Sequence, residues 1–167
     1  MRRLWQQRHR KPLVFEIGHS QQRLALDPSV LNHFAEHQQR DADSLEAGGQ
    51  LFARFSDQEV TVSRVTGPRP VDRRSRYLYH PNRREEQREI DEMHRKGLHF
   101  VGDWHTHPEA VPTPSPSDIR TINEAVAKSR HHLYGFLMIV VGNGDLPISL
   151  HVSLNTSVSH FRLLPAP

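Results

Sequence analysis

The sequence predicts a single α+β (α/β) domain in which helices flank one central β-sheet. Three observations predict this class. Helix-start and strand patterns alternate along the chain, the 167 residues match the size of one ordinary domain, and no repeat, low-complexity segment or linker divides them. The apolar share of 35% and the charged share of 25% are typical of globular proteins. A chain of this size and composition is therefore expected to bury a hydrophobic core.

The first predicted elements are one helix and two strands. Asp27-Pro28 is a helix-start signal, and apolar residues then recur on one helical face as far as about Gln39. Residues 49–55 and 59–65 have the composition of strands, with residues 56–58 as their turn. The order along the chain is therefore helix, strand, turn, strand.

The second half is expected to supply two further helices and the remaining strands. Pro81 precedes a strongly charged helix that should end at Gly97 and mostly face water, and Ser115-Pro116 starts another helix. The apolar run 134–141 is typical of a fully covered central strand, and Asn143-Gly144 indicates a hairpin turn. The other predicted strands are residues 77–80, 98–104, 146–154 and 158–163. The pattern leaves the order of the strands in the sheet open.

The chain has no cysteine, which restricts the chemistry available to it. Disulfides, thiolate nucleophiles and cysteine-based zinc sites are excluded. Any bound metal ion must therefore be held by histidine and carboxylate ligands.

The charge distribution does not favour nucleic acid as the main partner. The net charge is +3, but residues 1–11 carry five basic groups and no acidic one, and without them the remainder has a net charge of −2. We expect a basic N-terminal arm, residues 1–11, ahead of a domain over residues 12–167. No run approaches the roughly 20 apolar residues of a membrane span, and no apolar stretch of a signal peptide follows the basic start. We therefore expect a cytoplasmic protein without a membrane partner.

Two histidines at alternate positions, His105 and His107, are candidate metal ligands. On an extended strand both imidazoles point to the same side. The pair alone is weak evidence, because the chain holds 13 histidines. Asp118 follows eleven residues after His107, in the first turn of the predicted helix, and would complete a three-ligand site with one open position, as catalytic zinc requires. Ser115 and Asp118 also match a helix-capping pattern, and both interpretations can hold together.

A hydrolytic metal site also needs a group that takes a proton from water and passes it to the leaving amine. Glu46 is the best candidate, because it precedes a predicted strand and is followed by Gly48-Gly49. The paired glycines permit the close approach of another backbone. A solvated side chain is the ordinary interpretation of a single glutamate at such a place.

The segment H-T-H-P, six residues, Ser115, two residues, Asp118 resembles the H-x-H-P-x6-S-x2-D signature of JAMM (MPN+) metallopeptidases. Glu46-Ala47-Gly48-Gly49 matches the upstream glutamate of that family. The resemblance covers about residues 25–155 and implies a curved mixed sheet of the cytidine-deaminase-like architecture. It also implies one zinc ion on His105, His107 and Asp118, with Glu46 as general base and then acid. Ser115 would stabilise the oxyanion. No motif residue is missing, so an active enzyme is expected.

The same resemblance implies a substrate class, hydrolysis after the C-terminus of a ubiquitin-like protein. Gly102-Asp103-Trp104 and the small size look like the stand-alone bacterial deconjugating enzymes of antiviral operons, which also encode activating-like and conjugating-like partners. Some of those operons conjugate a cGAS-like nucleotidyltransferase instead, and the sequence does not separate the two. Tyr77, Tyr79 and Trp104 are candidate substrate-binding residues, with residues 76–80 as a possible edge for an added strand. A peptidase that trims sulfur carriers, a DNA-repair-associated relative and a nucleic-acid-binding module are the alternatives.

Overall fold

Three helices and eleven strands make up residues 10–167, the part of the chain that the computed structural model describes. Residues 1–9, which hold most of the predicted basic arm, lie outside the described residues. The helices are α1 (Pro28–His37), α2 (Arg83–Arg95) and α3 (Pro116–Lys128). The strands are β1 (Leu13–Glu16), β2 (Arg23–Leu26), β3 (Gly48–Phe55), β4 (Glu59–Val65), β5 (Arg73–Ser75), β6 (Leu78–His80), β7 (His99–Thr106), β8 (Phe136–Val141), β9 (Leu150–Asn155), β10 (His160–Arg162) and β11 (Leu164–Pro165).

Nine of these strands form one mixed sheet, which confirms the predicted α+β class. Their order is β10-β9-β8-β7-β3-β4-β2-β1-β11, and β5 pairs with β6 in a separate two-stranded sheet. Strand β7 lies next to the central strand β3, parallel to β8 and antiparallel to β3. The register of β3 shifts between Leu51 and Phe52 against β7 and between Phe52 and Ala53 against β4. Such irregularities bend a strand and increase its twist, so they contribute to the curvature of the sheet.

The core lies on both faces of the sheet, and β8 shows how the two halves are divided. All six of its residues are buried, as predicted for a covered central strand. Alternate side chains point to opposite faces. Phe136, Met138 and Val140 pack with α3, and the intervening Leu137, Ile139 and Val141 pack in the larger cluster that contains α1. A continuous apolar run is therefore needed in this strand.

The helix starts follow the signals in the sequence. Helix α1 begins at Pro28 after Asp27, and α3 begins at Pro116 after Ser115. Helix α2 is as charged as predicted, and Asn82 caps it by accepting hydrogen bonds from two backbone N–H groups. Within residues 10–167, none of the helices combines the length and the apolarity that crossing a membrane would require.

Two features differ from the prediction. Asn143-Gly144 is not a two-residue hairpin turn, because β8 and β9 pair across a connection of eight residues. The Asn143 backbone N–H donates instead to Glu109 O at 2.8 Å, so contacts with a distant segment hold this connection. Strands β1, β2, β5 and β11 were not predicted. None has more than four residues, too few for a clear alternation.

Candidate active site

Strand β7 and the residue after it carry the two histidines of the predicted metal site. His105 lies in β7 beside Val140 of β8, so its side chain faces α3. His107 directly follows the strand, and its backbone N–H donates to Val141 O at 2.9 Å. The extended backbone therefore continues far enough to place both imidazoles on one side, as the spacing predicts.

The nitrogen and oxygen atoms of His105, His107 and Asp118 form a nearly equilateral triangle. The two Nε2 atoms are 3.2 Å apart. Asp118 Oδ2 lies 3.3 Å from His105 Nε2 and 3.4 Å from His107 Nε2. Ligands at about 2.0–2.1 Å from a tetrahedral zinc ion are about 3.3 Å from one another. Two imidazoles and one carboxylate in this geometry fit a divalent metal ion with a fourth position open.

Asp118 both caps α3 and completes the triangle, so the two interpretations of the sequence hold together. The Ser115 backbone N–H donates to Asp118 Oδ2 at 2.7 Å, and the Asp118 backbone N–H donates to Ser115 Oγ at 3.1 Å. This reciprocal capping box fixes the carboxylate at the start of the helix. The Ser115 hydroxyl accepts in this arrangement, which leaves its own proton available.

The charges within the triangle shift the pKa values of its members in opposite directions. Burial alone would raise the pKa of Asp118, but hydrogen bonds from His105 and His107 hold it far below its usual range. Burial alone would lower the pKa of His107, but its hydrogen bond to Asp118 and the charge of that carboxylate raise it. The carboxylate therefore stays ionised, as a metal ligand must.

Glu46 lies two residues before the start of β3 and faces the same cleft as the three candidate ligands. The pKa of Glu46 is raised above its usual value, mainly because the carboxyl group is partly buried. The charges of His105 and His107 oppose this shift, and the charge of Asp118 adds to it. A carboxylate with a raised pKa is a stronger base than a solvated one, which suits a general base. The paired glycines are required as predicted, because a Cβ at Gly48 would overlap the Tyr79 ring and one at Gly49 would overlap the carbonyl of Thr66.

The three predicted substrate-binding residues differ in what they expose to the cleft. Tyr77 is 75% exposed at the rim. Tyr79 lines the cleft, but its hydroxyl donates to Asp72 and accepts from Arg69, and burial raises its pKa above the usual value. Trp104 is only 1% exposed, since its ring packs against α1 and its indole N–H donates to Thr66 O at 2.9 Å. Contact with a substrate stays a prediction for all three, and the exposure of Tyr77 suits it best.

The structure also brings residues to the cleft that the sequence reasoning missed. Asp103 points to the same side of β7 as His105, and Glu86 and Arg83 of α2 lie nearby. Burial, together with the negative charge of Glu86, raises the pKa of Asp103 to about 7. Alternation along β7 could have indicated Asp103, which lies two residues before His105. No sequence signal marks Glu86 or Arg83.

A histidine–histidine–carboxylate triangle that could hold a metal ion, with a partly buried glutamate in the same cleft, is the arrangement typical of metal-dependent hydrolases. The family described as prokaryotic homologs of the JAB domain matches residues 27–153. The chain belongs to this family. The matched segment contains Glu46, Ser115 and all three candidate ligands.

Individual relatives agree with this assignment. The chain is 33% identical over 132 residues to a CD-NTase/cGAS isopeptidase of Pseudomonas aeruginosa, covering 76% of this chain and 82% of that protein. It is 31% identical over 105 residues to a probable metalloprotease, y4qB, of Sinorhizobium fredii, covering 60% of this chain and 64% of that protein. The solution structure of protein DSY2949 from Desulfitobacterium hafniense superimposes with a TM-score of 0.59 over 82% of this chain and 87% of that chain. At 19% identity this last similarity concerns the fold alone. The names of the relatives support a hydrolase.

Proposed function

We propose that the chain is a JAMM-type zinc isopeptidase that cleaves the amide bond joining the C-terminal carboxyl of a CD-NTase to an amine on another protein. The observation that carries this proposal is the triangle of His105, His107 and Asp118 in one cleft with Glu46. Several relatives are named for CD-NTase/cGAS isopeptidase activity, which favours a nucleotidyltransferase over a ubiquitin-like protein as the conjugated partner.

The chain's own residues can perform the steps of hydrolysis. When bound by His105, His107 and Asp118, zinc would act as a Lewis acid and lower the pKa of a neighbouring water molecule. Glu46 accepts the proton of the attacking water as the new C–O bond forms. It delivers that proton to the leaving nitrogen as the C–N bond breaks. Its raised pKa favours both transfers, because the group can hold the proton between them.

Ser115 has a defined place in this reaction. Its Oγ accepts from the backbone of Asp118, so the hydroxyl proton is free to donate to the carbonyl oxygen as negative charge develops there. The cap thus holds both the metal ligand and the oxyanion donor at the start of α3.

The biological setting follows from the substrate. Removal of a conjugated CD-NTase would oppose the activating-like and conjugating-like enzymes of an antiviral operon, and such enzymes are the proposed partners. The domain over residues 12–167 would act in the cytoplasm, where those conjugates form.

The decisive experiment uses a CD-NTase linked through its C-terminal carboxyl to a lysine side chain. We expect the purified chain loaded with zinc to release both products, and a chelator to stop the release. The parallel substrate is a ubiquitin-like protein with the same linkage. Faster cleavage of the ubiquitin-like conjugate would overturn the choice of substrate, and full turnover after complete metal removal would overturn the zinc mechanism.

Glu46→Gln tests the role of the general base. It should retain zinc and lose about 100- to 10,000-fold in kcat, the contribution expected of general acid–base catalysis. Glu16→Gln, an exposed substitution on β1, is the matched control and should leave the rate unchanged. Retained cleavage by Glu46→Gln would contradict the assignment.

A further inference from the structure

The segment that presents Glu46 has neither helix nor strand of its own. Residues 38–47 connect α1 to β3 in irregular backbone. A general base has to be held in place for efficient proton transfer, because a displacement of about 1 Å can cost roughly 100-fold in rate. The contacts that hold this segment are therefore relevant to catalysis.

Strand β5 holds the peptide groups on both sides of Glu46. The Glu46 backbone N–H donates to Ser75 O at 2.7 Å. The Arg74 Nε–H donates to Glu46 O, also at 2.7 Å, and its Nη2 lies 3.5 Å from Leu45 O. Two successive residues of one strand thus contact the amide and the carbonyl of the same residue.

A second arginine repeats this contact further along the segment. Arg76 Nη1 donates to Asp41 O at 2.9 Å and to Ala42 O at 2.6 Å. Hydrogen bonds from a guanidinium are charge-assisted and stronger than neutral ones. We call Arg74 and Arg76 the carbonyl clamp, because both guanidinium groups bind backbone carbonyl oxygens of the segment.

Within the clamp, Arg74 contacts the backbone carbonyl of Glu46 rather than its carboxylate. The pKa of Glu46 is shifted by burial of its carboxyl group and by the charges of His105, His107 and Asp118. Arg74 is not among the groups that shift this pKa, so its contact with Glu46 is to the backbone alone.

We propose that Arg74 is a positioning residue, which fixes the backbone of Glu46 so that its carboxylate reaches the reacting water and amine. The role rests on the proposed function, since it needs Glu46 to act as the general base. Arg73 precedes Arg74 on β5, is exposed and provides a matched control.

The kinetic test compares Arg74→Ala with Arg73→Ala on the CD-NTase conjugate. We expect Arg74→Ala to lower kcat by about 10- to 100-fold with unchanged KM and zinc content, and Arg73→Ala to match the wild type. In a Glu46→Gln background, Arg74→Ala should cause little further loss, because both changes disable one group. An additive loss in the double variant, or a rise in KM alone, would overturn the proposal.

Hydrogen exchange gives a readout that does not depend on turnover. Arg74→Ala should accelerate exchange of the Glu46 amide by about 10-fold or more and leave the His107 amide unchanged, whereas Arg73→Ala should alter neither. Arg74→Met, which keeps the aliphatic stem without donors, replaces Arg74→Ala if that variant does not fold. An unchanged exchange rate of the Glu46 amide would show that Arg74 does not hold the Glu46 backbone. A wild-type protein that cleaves no conjugate would refute the proposed function while the exchange result still stands.

Discussion

Two histidine pairs in this molecule have nearly the same spacing and opposite surroundings. The Nε2 atoms of His105 and His107 are 3.2 Å apart, and those of His151 and His160 on β9 and β10 are 3.3 Å apart. Asp118 completes the first pair at 3.3–3.4 Å. In the second pair, the positive charge of Arg162 acts on His151 instead.

The surroundings determine the state of each pair. Asp118 raises the pKa of His107, whereas burial and the neighbouring charges of His160 and Arg162 lower the pKa of His151 to about 4. Asn155 fixes the tautomer of His160. Its Nδ2 donates to oxygens of Phe136 and Ser153, so its Oδ1 must accept from His160 Nδ1 at 2.6 Å. The separation of two imidazoles therefore does not define a metal site, because the third group decides whether a cation is favoured.

The strongest test of this contrast removes one histidine from each pair. We expect His107→Ala to lose bound zinc and at least about 1,000-fold in activity, since the metal supplies the main activation of water. His160→Ala should keep both. Metal content by mass spectrometry after dialysis and the rate of conjugate cleavage are the measurements. Stoichiometric zinc in His107→Ala, or its loss in His160→Ala, would reverse the assignment of the two pairs.

Asp118→Asn tests whether the negative charge of the carboxylate is what allows the first histidine pair to bind a metal ion. The amide can still accept the hydrogen bond from the Ser115 N–H, but it is a poor ligand without charge. We expect zinc affinity, measured by competition with a chelator, to fall by about 100-fold or more, and activity at limiting zinc to fall with it. Affinity equal to the wild type would show that the two imidazoles suffice.

Substitutions of Ser115 test the start of α3, which lies beside the first histidine pair. Ser115→Asn keeps a good cap without the hydroxyl, so we expect little change in the free energy of unfolding and a loss of about 100-fold in kcat. Ser115→Ala should show the same kinetic loss and also lose about 1 kcal/mol of stability. Ser115→Thr retains both functions and is the control. Equal activity in Ser115→Asn and the wild type would restrict Ser115 to capping.

The second pair should affect stability at acidic pH. The pKa of His151 is about 4 in the folded protein and about 6.5 in an unfolded chain. Between these values the unfolded state binds the additional proton, so stability falls as the pH falls from 6.5 toward 4. His160, which neighbours His151, is partly exposed to solvent and this moderates the effect, so we expect the wild type to lose about 1–2 kcal/mol more than His151→Gln over this window. Urea unfolding at several pH values measures it, with the exposed His19→Gln as control. Parallel curves for wild type and His151→Gln would contradict the shift.

The relative placement of the candidate metal ligands could be predicted because these residues are local in the sequence. His105 and His107 share one side of β7 by strand alternation, and Ser115 caps the helix that carries Asp118, so short-range geometry nearly determines their arrangement. The apolar run of β8 and the Pro-initiated helices were predictable for the same reason. Their patterns reflect periodicity and backbone restriction within a single element.

Contacts between distant segments were decided only by the tertiary structure. Sheet order places β3 beside β7 and so brings Glu46, 59 residues before His105, into the cleft. The contact of Arg74 with Glu46 O and the proximity of Asp103 to Glu86 likewise join segments that are far apart in the sequence. Asn143-Gly144 is a turn signal by itself, but hydrogen bonds from Asn143 to Glu109 O and Gln39 O determine its conformation in the folded protein. Local propensities are worth a few tenths of a kcal/mol to about 1 kcal/mol per residue. Burial and buried hydrogen bonds between distant segments exceed that, so the sequence determined which residues could bind a metal, and packing determined what surrounds them.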